Sequence, residues 1–340
     1  MPIARTRYLG IVEEYTYGVL SASPLWEYLD FASASIDPPS DEKIIWGGAS
    51  NRAPYVYQPG AYSVSGDVEL PIDSELFGWF LKWLFGSVTS AAQQTDKAQL
   101  HTFTPADTLK SFNAKVGKDT MEYQAYGLGV GDLSITIEKE LAVAKVALVG
   151  QKDAKNAIGS PTLNTPGYFF PFHRAALKYD NRATPGAVIP FERMTFSYKN
   201  NLDTKETIRL GSRFPNFLNV GERDVTLEGD LTFTDTDALE RFWSTTGATG
   251  PASTTTNYTP FSMFLELTGP AIAGSSPTLY NSLYITLPQV LITQVKKPVQ
   301  KRDRIKVGVI YKALYKDATD KDVKAELYTP FARTYPDAIA

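Results

Sequence analysis

The chain has no cysteine among its 340 residues, which excludes disulfides, zinc–thiolate centres and thiol catalysis. Histidine is almost missing too. His101 and His173 are the only two, far apart in sequence, so a histidine metal site or a Ser-His-Asp triad is not expected. Either ring reads better as a loop or interface residue. No sign of charge dominates: 34 Lys and Arg stand against 37 Asp and Glu, a net charge of −3. Such a chain has no bulk basic field with which to hold nucleic acid. Long hydrophobic runs are absent as well. The most apolar stretch, Leu76 to Phe85, is interrupted by Lys82 and falls far short of the roughly 20 residues a membrane-spanning helix needs. The first residues lack the apolar centre of a signal peptide, so the expectation is a soluble protein made in the cytoplasm without membrane insertion.

What the chain does contain is aromatic, turn-forming and repetitive. It has 19 Tyr, 18 Phe, 22 Pro and 24 Gly, a composition that favours strands broken by turns over helix bundles. Its length exceeds one ordinary core and suits two. Ser63–Phe80 can be laid against Thr226–Trp243, so that Gly66 meets Gly229, Asp67 meets Asp230, Leu76 meets Leu239 and Phe80 meets Trp243. The offset is 163 residues, 66 to 229, and it also carries Ile45 onto Ile208 and Gly48 onto Gly211. A strand and helix repeated at domain-sized spacing points to two tandem copies of one fold.

The expected organisation is an extended arm over 1–30, a first domain over 31–150, a linker or extended excursion over 151–190 and a second domain over 191–340. In the first domain Val64, Gly66, Val68 and Leu70 share one strand face, with Asp67 and Glu69 on the other. A helix follows, opened by Asp73 or Ser74 and stopped by Gly86, with Leu76 and Phe80 in its buried stripe. In the second, Val225, Leu227, Gly229, Leu231 and Phe233 alternate with Asp224, Glu228 and Asp230. The matching helix, 236–246, is expected to bury Leu239 and Trp243. Further strands are expected at 111–116, 122–126, 133–138 and 141–149, then at 261–267, 283–287, 290–295 and 304–315.

No motif rises to an active site, a metal site or a cofactor site, and the chain does not read as an enzyme. Gly127-Leu-Gly-Val-Gly131 has the wrong third spacing for a dinucleotide loop, and a strand follows it. A turn or bulge explains it. Asp317-Ala-Thr-Asp-Lys-Asp322 lacks the Gly and distal Glu of a calcium loop, and Thr234–Asp237 is a helix start. Asn257-Tyr-Thr matches a glycosylation acceptor that means nothing without a secretory route. Ser253–Asn257 is a Thr-rich loop.

The order and spacing of several segments resemble the tail tube proteins of long, non-contractile-tailed bacteriophages. They are Gly66-Asp-Val-Glu-Leu-Pro-Ile-Asp73, the helix ending in Gly86-Ser, His101-Thr-Phe-Thr-Pro, Ser111 to Gly117, Tyr123-Gln-Ala-Tyr-Gly, Leu133 to Glu138 and Val146 to Gly150. The resemblance covers roughly residues 40–150. It implies a mainly β fold of two tandem β-sandwich domains, each with one flanking α-helix, whose inner sheets join into a ring-shaped β-barrel around a lumen. Rings of this family usually hold six single-domain copies, so a two-copy chain implies a homotrimer. The implied function is a structural virion protein of the phage tail. Its stacked rings would conduct double-stranded DNA without binding it specifically, with tape-measure and tail-terminator proteins as partners. Asp67, Glu69, Asp224, Glu228 and Asp230 are then candidates for an acidic lumen face that repels phosphate. They read equally well as solvated charges on an outer face. Two other readings stay open: a carbohydrate- or host-binding β-sandwich of the virion, and a hydrolase using an acidic pair.

Overall fold

A computed structural model of the chain describes residues 7–37, 40–46, 54–94, 96–180, 182–232, 236–243, 247–251, 259–296 and 306–337, with backbone alone for 40–57. Gly48, Phe233 to Asp235, 244–246, the Ser253–Asn257 loop and Arg304 lie outside the described residues. The first half contains β1 (Arg7–Glu13), β2 (Glu27–Leu29), β3 (Ser33–Asp37), β4 (Ser40–Trp46), β5 (Pro54–Tyr62), β6 (Val64–Pro71) and α1 (Phe77–Phe85). It continues through β7 (Gly86–Gln94), β8 (Ala98–Pro105), β9 (Phe112–Lys118), β10 (Met121–Glu138), β11 (Val143–Gly150) and β12 (Lys152–Asn156). The second half contains β13 (Ala175–Tyr179), β14 (Phe191–Lys199), β15 (Asp224–Thr232) and α2 (Asp237–Trp243). After these come β16 (Phe261–Ala271), β17 (Tyr280–Lys296), β18 (Lys306–Ala313) and β19 (Lys324–Pro330).

Two long strands organise the molecule. The first part of β10 pairs with β9 and β12, and its second part pairs with β11 and β14. Gly127, at φ +64°, and a register shift between Val130 and Asp132 mark where it changes sheets. The glycine motif is thus a bend in a strand. In the second half β17 changes sheets in the same way, pairing first with β16 and β19 and then with β18. The other pairings run in parallel sets: β1 with β9 and β13 with β16, β3 with β6 and β14 with β15, β11 with β6 and β18 with β15. All are antiparallel; β4 and β5 form a two-stranded sheet of their own, and the other strands join into one large branched sheet, which is open because, among the described residues, no chain of pairings returns to its start.

Two junctions tie the halves together. β10 pairs with β14 from Asp132↔Lys199 to Glu138↔Arg193, and β8 pairs with β19 from Phe103↔Ala325 to Ala98↔Pro330. The result is an inner sheet of eight strands in the order β3, β6, β11, β10, β14, β15, β18, β17. One face of it is packed by Val64, Val68, Leu70, Leu133, Ile135, Val225 and Leu227. Gly66 sits opposite Ile36 of the paired strand β3, and a Cβ there would stand 1.7 Å from the Ser35 carbonyl oxygen. Gly229 is the matching point in the second half, with the Arg193 carbonyl oxygen 2.6 Å from a Cβ.

Helix α1 begins after an Asp73 turn, whose Oδ1 accepts N–H bonds from Glu75 at 2.6 Å and Leu76 at 2.5 Å. It ends at Gly86 with φ 82°, a left-handed cap that suits glycine. Every residue of α1 is buried, including Phe80, and Leu76 just before it is buried as well. A segment after β19 roofs it. The Tyr335 hydroxyl donates to the Glu75 carbonyl, and Lys82 Nζ ion-pairs with Glu13 at 2.8 Å and Asp337 at 2.9 Å.

Four expectations need correction. Residues 7–30 do not form an arm: β1 runs between β2 and β9 and buries Tyr8, Leu9, Ile11 and Val12. The described residues of 151–190 are not an excursion, because β12 and β13 extend the sheets and Phe170 is fully buried. β12 is the polar run Lys-Asp-Ala-Lys-Asn, so backbone pairing rather than an apolar pattern places it. The pairs of strands expected at 122–126 and 133–138, and at 283–287 and 290–295, are single bent strands. Lastly, α2 buries none of its residues. Leu239 and Trp243 are intermediate in exposure, because nothing described roofs α2 as 331–337 roofs α1.

Candidate functional site

The registers bring the five acidic candidates to one face of the inner sheet. Ser33 faces Glu69, Glu69 faces Lys145, Lys145 faces Ser134, Ser134 faces Ser197 and Ser197 faces Thr226, which faces Lys312. A neighbouring row carries Asp67, Ala147, Asp132, Lys199 and Asp224, and the next two carry Thr136, Thr195 and Glu228, then Glu138, Arg193 and Asp230. Period-two alternation on every strand puts these polar side chains opposite the core.

The face is not uniformly acidic. Asp67 pairs with Lys145 at 2.9 Å, Asp224 with Lys312 at 3.2 Å and Glu138 with Arg193 at 3.6 Å. Hydrogen bonding to Asp67 pushes the Lys145 ammonium above its usual range. Burial pushes the Asp132 carboxyl up, against the pull of Lys199. Glu228 and Asp230 are the exposed acids of β15. The basic residues escaped sequence reasoning because they lie on β11, β14 and β18, where the alternation had not been split into two faces. Applying the same split to Phe191–Lys199 and Lys306–Ala313 would have found them.

The sheet also has two open edges. β3 pairs with β6 on one side and, among the described residues, with no strand on the other. Leu291–Lys296 of β17 pair, among the described residues, with β18 alone. Exposed strand edges are templates for pairing with another chain.

Elsewhere the polar groups serve structure. His101 is fully buried, with Nδ1 2.7 Å from Ser90 Oγ and Nε2 3.0 Å from Thr329 Oγ1. Burial, aided by Arg333, pushes its pKa down to about 4, so the ring is a neutral link between β7, β8 and β19. His173 lies in a short 3-10 turn, 172–174. Asp317 Oδ1 accepts the N–H groups of Thr319 and Asp320, both at 2.8 Å, which closes a turn. No cluster of three or more metal-ligating side chains occurs among the described residues. No described helix is long and apolar enough to cross a membrane.

The sequence profile of one family, described as phage tail tube protein, matches residues 4–278. The chain belongs to the phage tail tube protein family. The match runs from β1 through β16 and so takes in strands of both halves. A search of curated proteins finds no match. As a tail tube protein the chain is structural rather than enzymatic, and its family implies a component of the virion tail that self-assembles into a tube.

Proposed function

We propose that three copies of this chain close into a ring around a lumen, and that stacked rings conduct double-stranded DNA during ejection into the host. The observation that carries this reading is the β10–β14 junction. The parallel pairings of the two halves support two tandem copies of one fold, in which β14 takes the place of β3 and β17 the place of β10. The β10–β14 junction is then a template for a second one, between β17 of one copy and β3 of the next. Across the internal junction Asp132 faces Lys199 and Glu138 faces Arg193, so opposite charges line the one edge contact of this kind within the chain. Repeating the contact around a ring removes both edges and closes the inner sheets into a barrel.

The polar face then lines the lumen, with Asp67, Glu69, Asp224, Glu228 and Asp230 among its groups. Interleaving with Lys145, Arg193, Lys199 and Lys312 leaves little net field for phosphate to bind. DNA would pass without a sequence-independent grip of the kind basic grooves provide. Tape-measure and tail-terminator proteins belong to this reading as the partners that set tube length.

Cryo-EM of tubes tests it. Three chains per ring, with β17 beside β3 of the neighbour, is the expected result. Six chains per ring, or lateral contacts that leave these edges open, would overturn it.

A further inference from the structure

The loop between β14 and β15 carries the most exposed large apolar side chain among the described residues. Leu210 is 107% exposed, yet the loop beneath it is firmly built. Bridges at Asp203↔Asn219 and Ile208↔Pro215 staple it, and Thr207 is buried with its hydroxyl donating to the Thr204 carbonyl at 2.8 Å. It is also anchored to the first half. Gln151 Nε2 donates to the Pro215 carbonyl at 2.8 Å, and Arg213 Nε donates to the Gly60 carbonyl at 2.8 Å. Phe214 and Phe217 flank the tip, 37% and 44% exposed. A rigid loop holding apolar side chains in solvent is a contact surface rather than a folding feature.

A hollow of about 170 Å³ lies at the other end of the same strand, lined by Ile137, Phe172, Leu177, Val188, Phe191 and Met194 among others. The β10–β14 register fixes the geometry: Glu138↔Arg193 marks the hollow's end, and Asp132↔Lys199 marks the end from which the loop leaves. Six steps along β14, from Arg193 to Lys199, at about 3.4 Å each separate the two by roughly 20 Å. Val188, at the lip, is 59% exposed. Arg209 and Arg213 flank Leu210 in sequence, while the exposed Glu140 stands beside the hollow, where Glu138 is already paired with Arg193.

We propose that Leu210 and its flanking aromatics are the knob of the ring-to-ring contact, seated in the Ile137–Val188–Met194 hollow of a second copy in the next ring. A knob and a hole at opposite ends of one chain make a head-to-tail contact. Such a contact does not close on itself, so it propagates along an axis. The apolar seat supplies burial, and the opposite charges around it favour one orientation. This contact rests on the ring reading above and adds the axial face that the edge strands leave unassigned.

Two variants test it, both read beside the wild type by negative-stain microscopy. Leu210→Lys puts a charge on a side chain that packs against nothing in its own chain, so the expected product is rings without tubes. The second variant joins Leu210→Cys to Val188→Cys in a chain that has no other cysteine. Oxidation is expected to give a ladder of covalent multiples beyond the dimer, which neither single cysteine can form. Tubes of Leu210→Lys as long as wild-type tubes, or no ladder from the double variant in wild-type-like tubes, would overturn the contact and leave the ring intact. Wild-type protein that never forms rings would overturn the ring reading, and this contact with it.

Discussion

Helices α1 and α2 follow matching strands, β6 and β15, yet every residue of α1 is buried and none of α2 is. Their sequences explain part of the contrast. Phe77-Gly-Trp-Phe-Leu-Lys-Trp-Leu-Phe85 is apolar around nearly its whole circumference, as befits a helix enclosed on all sides. Asp237-Ala-Leu-Glu-Arg-Phe-Trp243 has a polar side. Partners explain the rest. Trp83 stacks on Phe112 with ring centres 3.9 Å apart, and Trp79 meets Tyr335 edge-on at 5.5 Å. Nothing described is laid across α2 in this way; its own Arg241 reaches out to aromatic rings, with the guanidinium 4.3 Å from the Tyr179 ring centre and 5.0 Å from that of Phe261. Similar backbone order therefore does not fix burial. What decides it is the segment the other half lays across the helix.

The sharpest way to break that comparison is to truncate matched side chains. Phe80→Ala should cost about 3–5 kcal/mol, the range for a large aromatic lost from a core. Trp243→Ala, at the position 163 residues on, should cost less, because Trp243 is only partly buried while Phe80 is fully so. Urea midpoints at constant m give both values. Equal losses would mean that α2 is packed like α1 and that the contrast is wrong.

The next effect concerns the roof over α1, where His101 touches Tyr335 with ring centres 4.7 Å apart. Its pKa is pushed down to about 4 in the folded chain, against about 6.5 when unfolded. Between these values the unfolded chain binds the extra proton. Stability is therefore full above pH 6.5 and falls as pH drops towards 4, by on the order of 3 kcal/mol. Glu14 and Asp73 work in the opposite sense, because burial pushes their carboxyls up. Comparing wild type with His101→Gln at pH 7 and pH 4.5 isolates the histidine. The variant should lose less stability on acidification, and identical losses would remove His101 from the account.

Gly66→Ala and Gly229→Ala ask whether the two halves share a backbone constraint. The first puts a methyl group 1.7 Å from the Ser35 carbonyl oxygen; the second puts one 2.6 Å from the Arg193 carbonyl and the Phe191 ring. Strand shifts of that sort cost about 1–3 kcal/mol, with Gly66→Ala the costlier. A neutral Gly66→Ala would show that β3 is free to move away. These glycines were also the most readable part of the sequence. The pairing of Gly66 with Gly229 rested on pattern alone, and each proves to lie against the backbone of its neighbouring strand, β3 or β14. The β6 and β15 alternation, the α1 stripe and the Gly86 stop were legible for the same reason, since each is a local rule. The sheet changes within β10 and β17, the burial of β1 and the roof over α1 were not. They depend on partners distant in the chain, from 55 to 67 residues across the β10–β14 junction to 99 or more between β1 and β9 and between Lys82 and Asp337. The polar face was half legible, because its acids lie on the two strands whose alternation was cleanest and its bases do not.

The smallest effect on folding should come from the polar face, and it sharpens the comparison between the halves. Asp67 has Lys145 as a partner, while Glu228 and Asp230 stand exposed on β15. Solvated charges of this kind contribute little to stability, so Asp67→Lys, Glu69→Lys, Glu228→Lys and Asp230→Lys together should fold, and tubes should still form. Their effect belongs to DNA. Added cations along the path would neutralise phosphates and release counterions, with a log–log salt slope of about −0.9 for each phosphate contacted. DNA release from virions carrying the four substitutions should slow, most strongly at low salt. The second-half pair alone should slow it more than Asp67→Lys alone, because the lysine at 67 would sit against Lys145 and be pushed aside. Release at the wild-type rate across salt concentrations would place these residues on the outside of the tube.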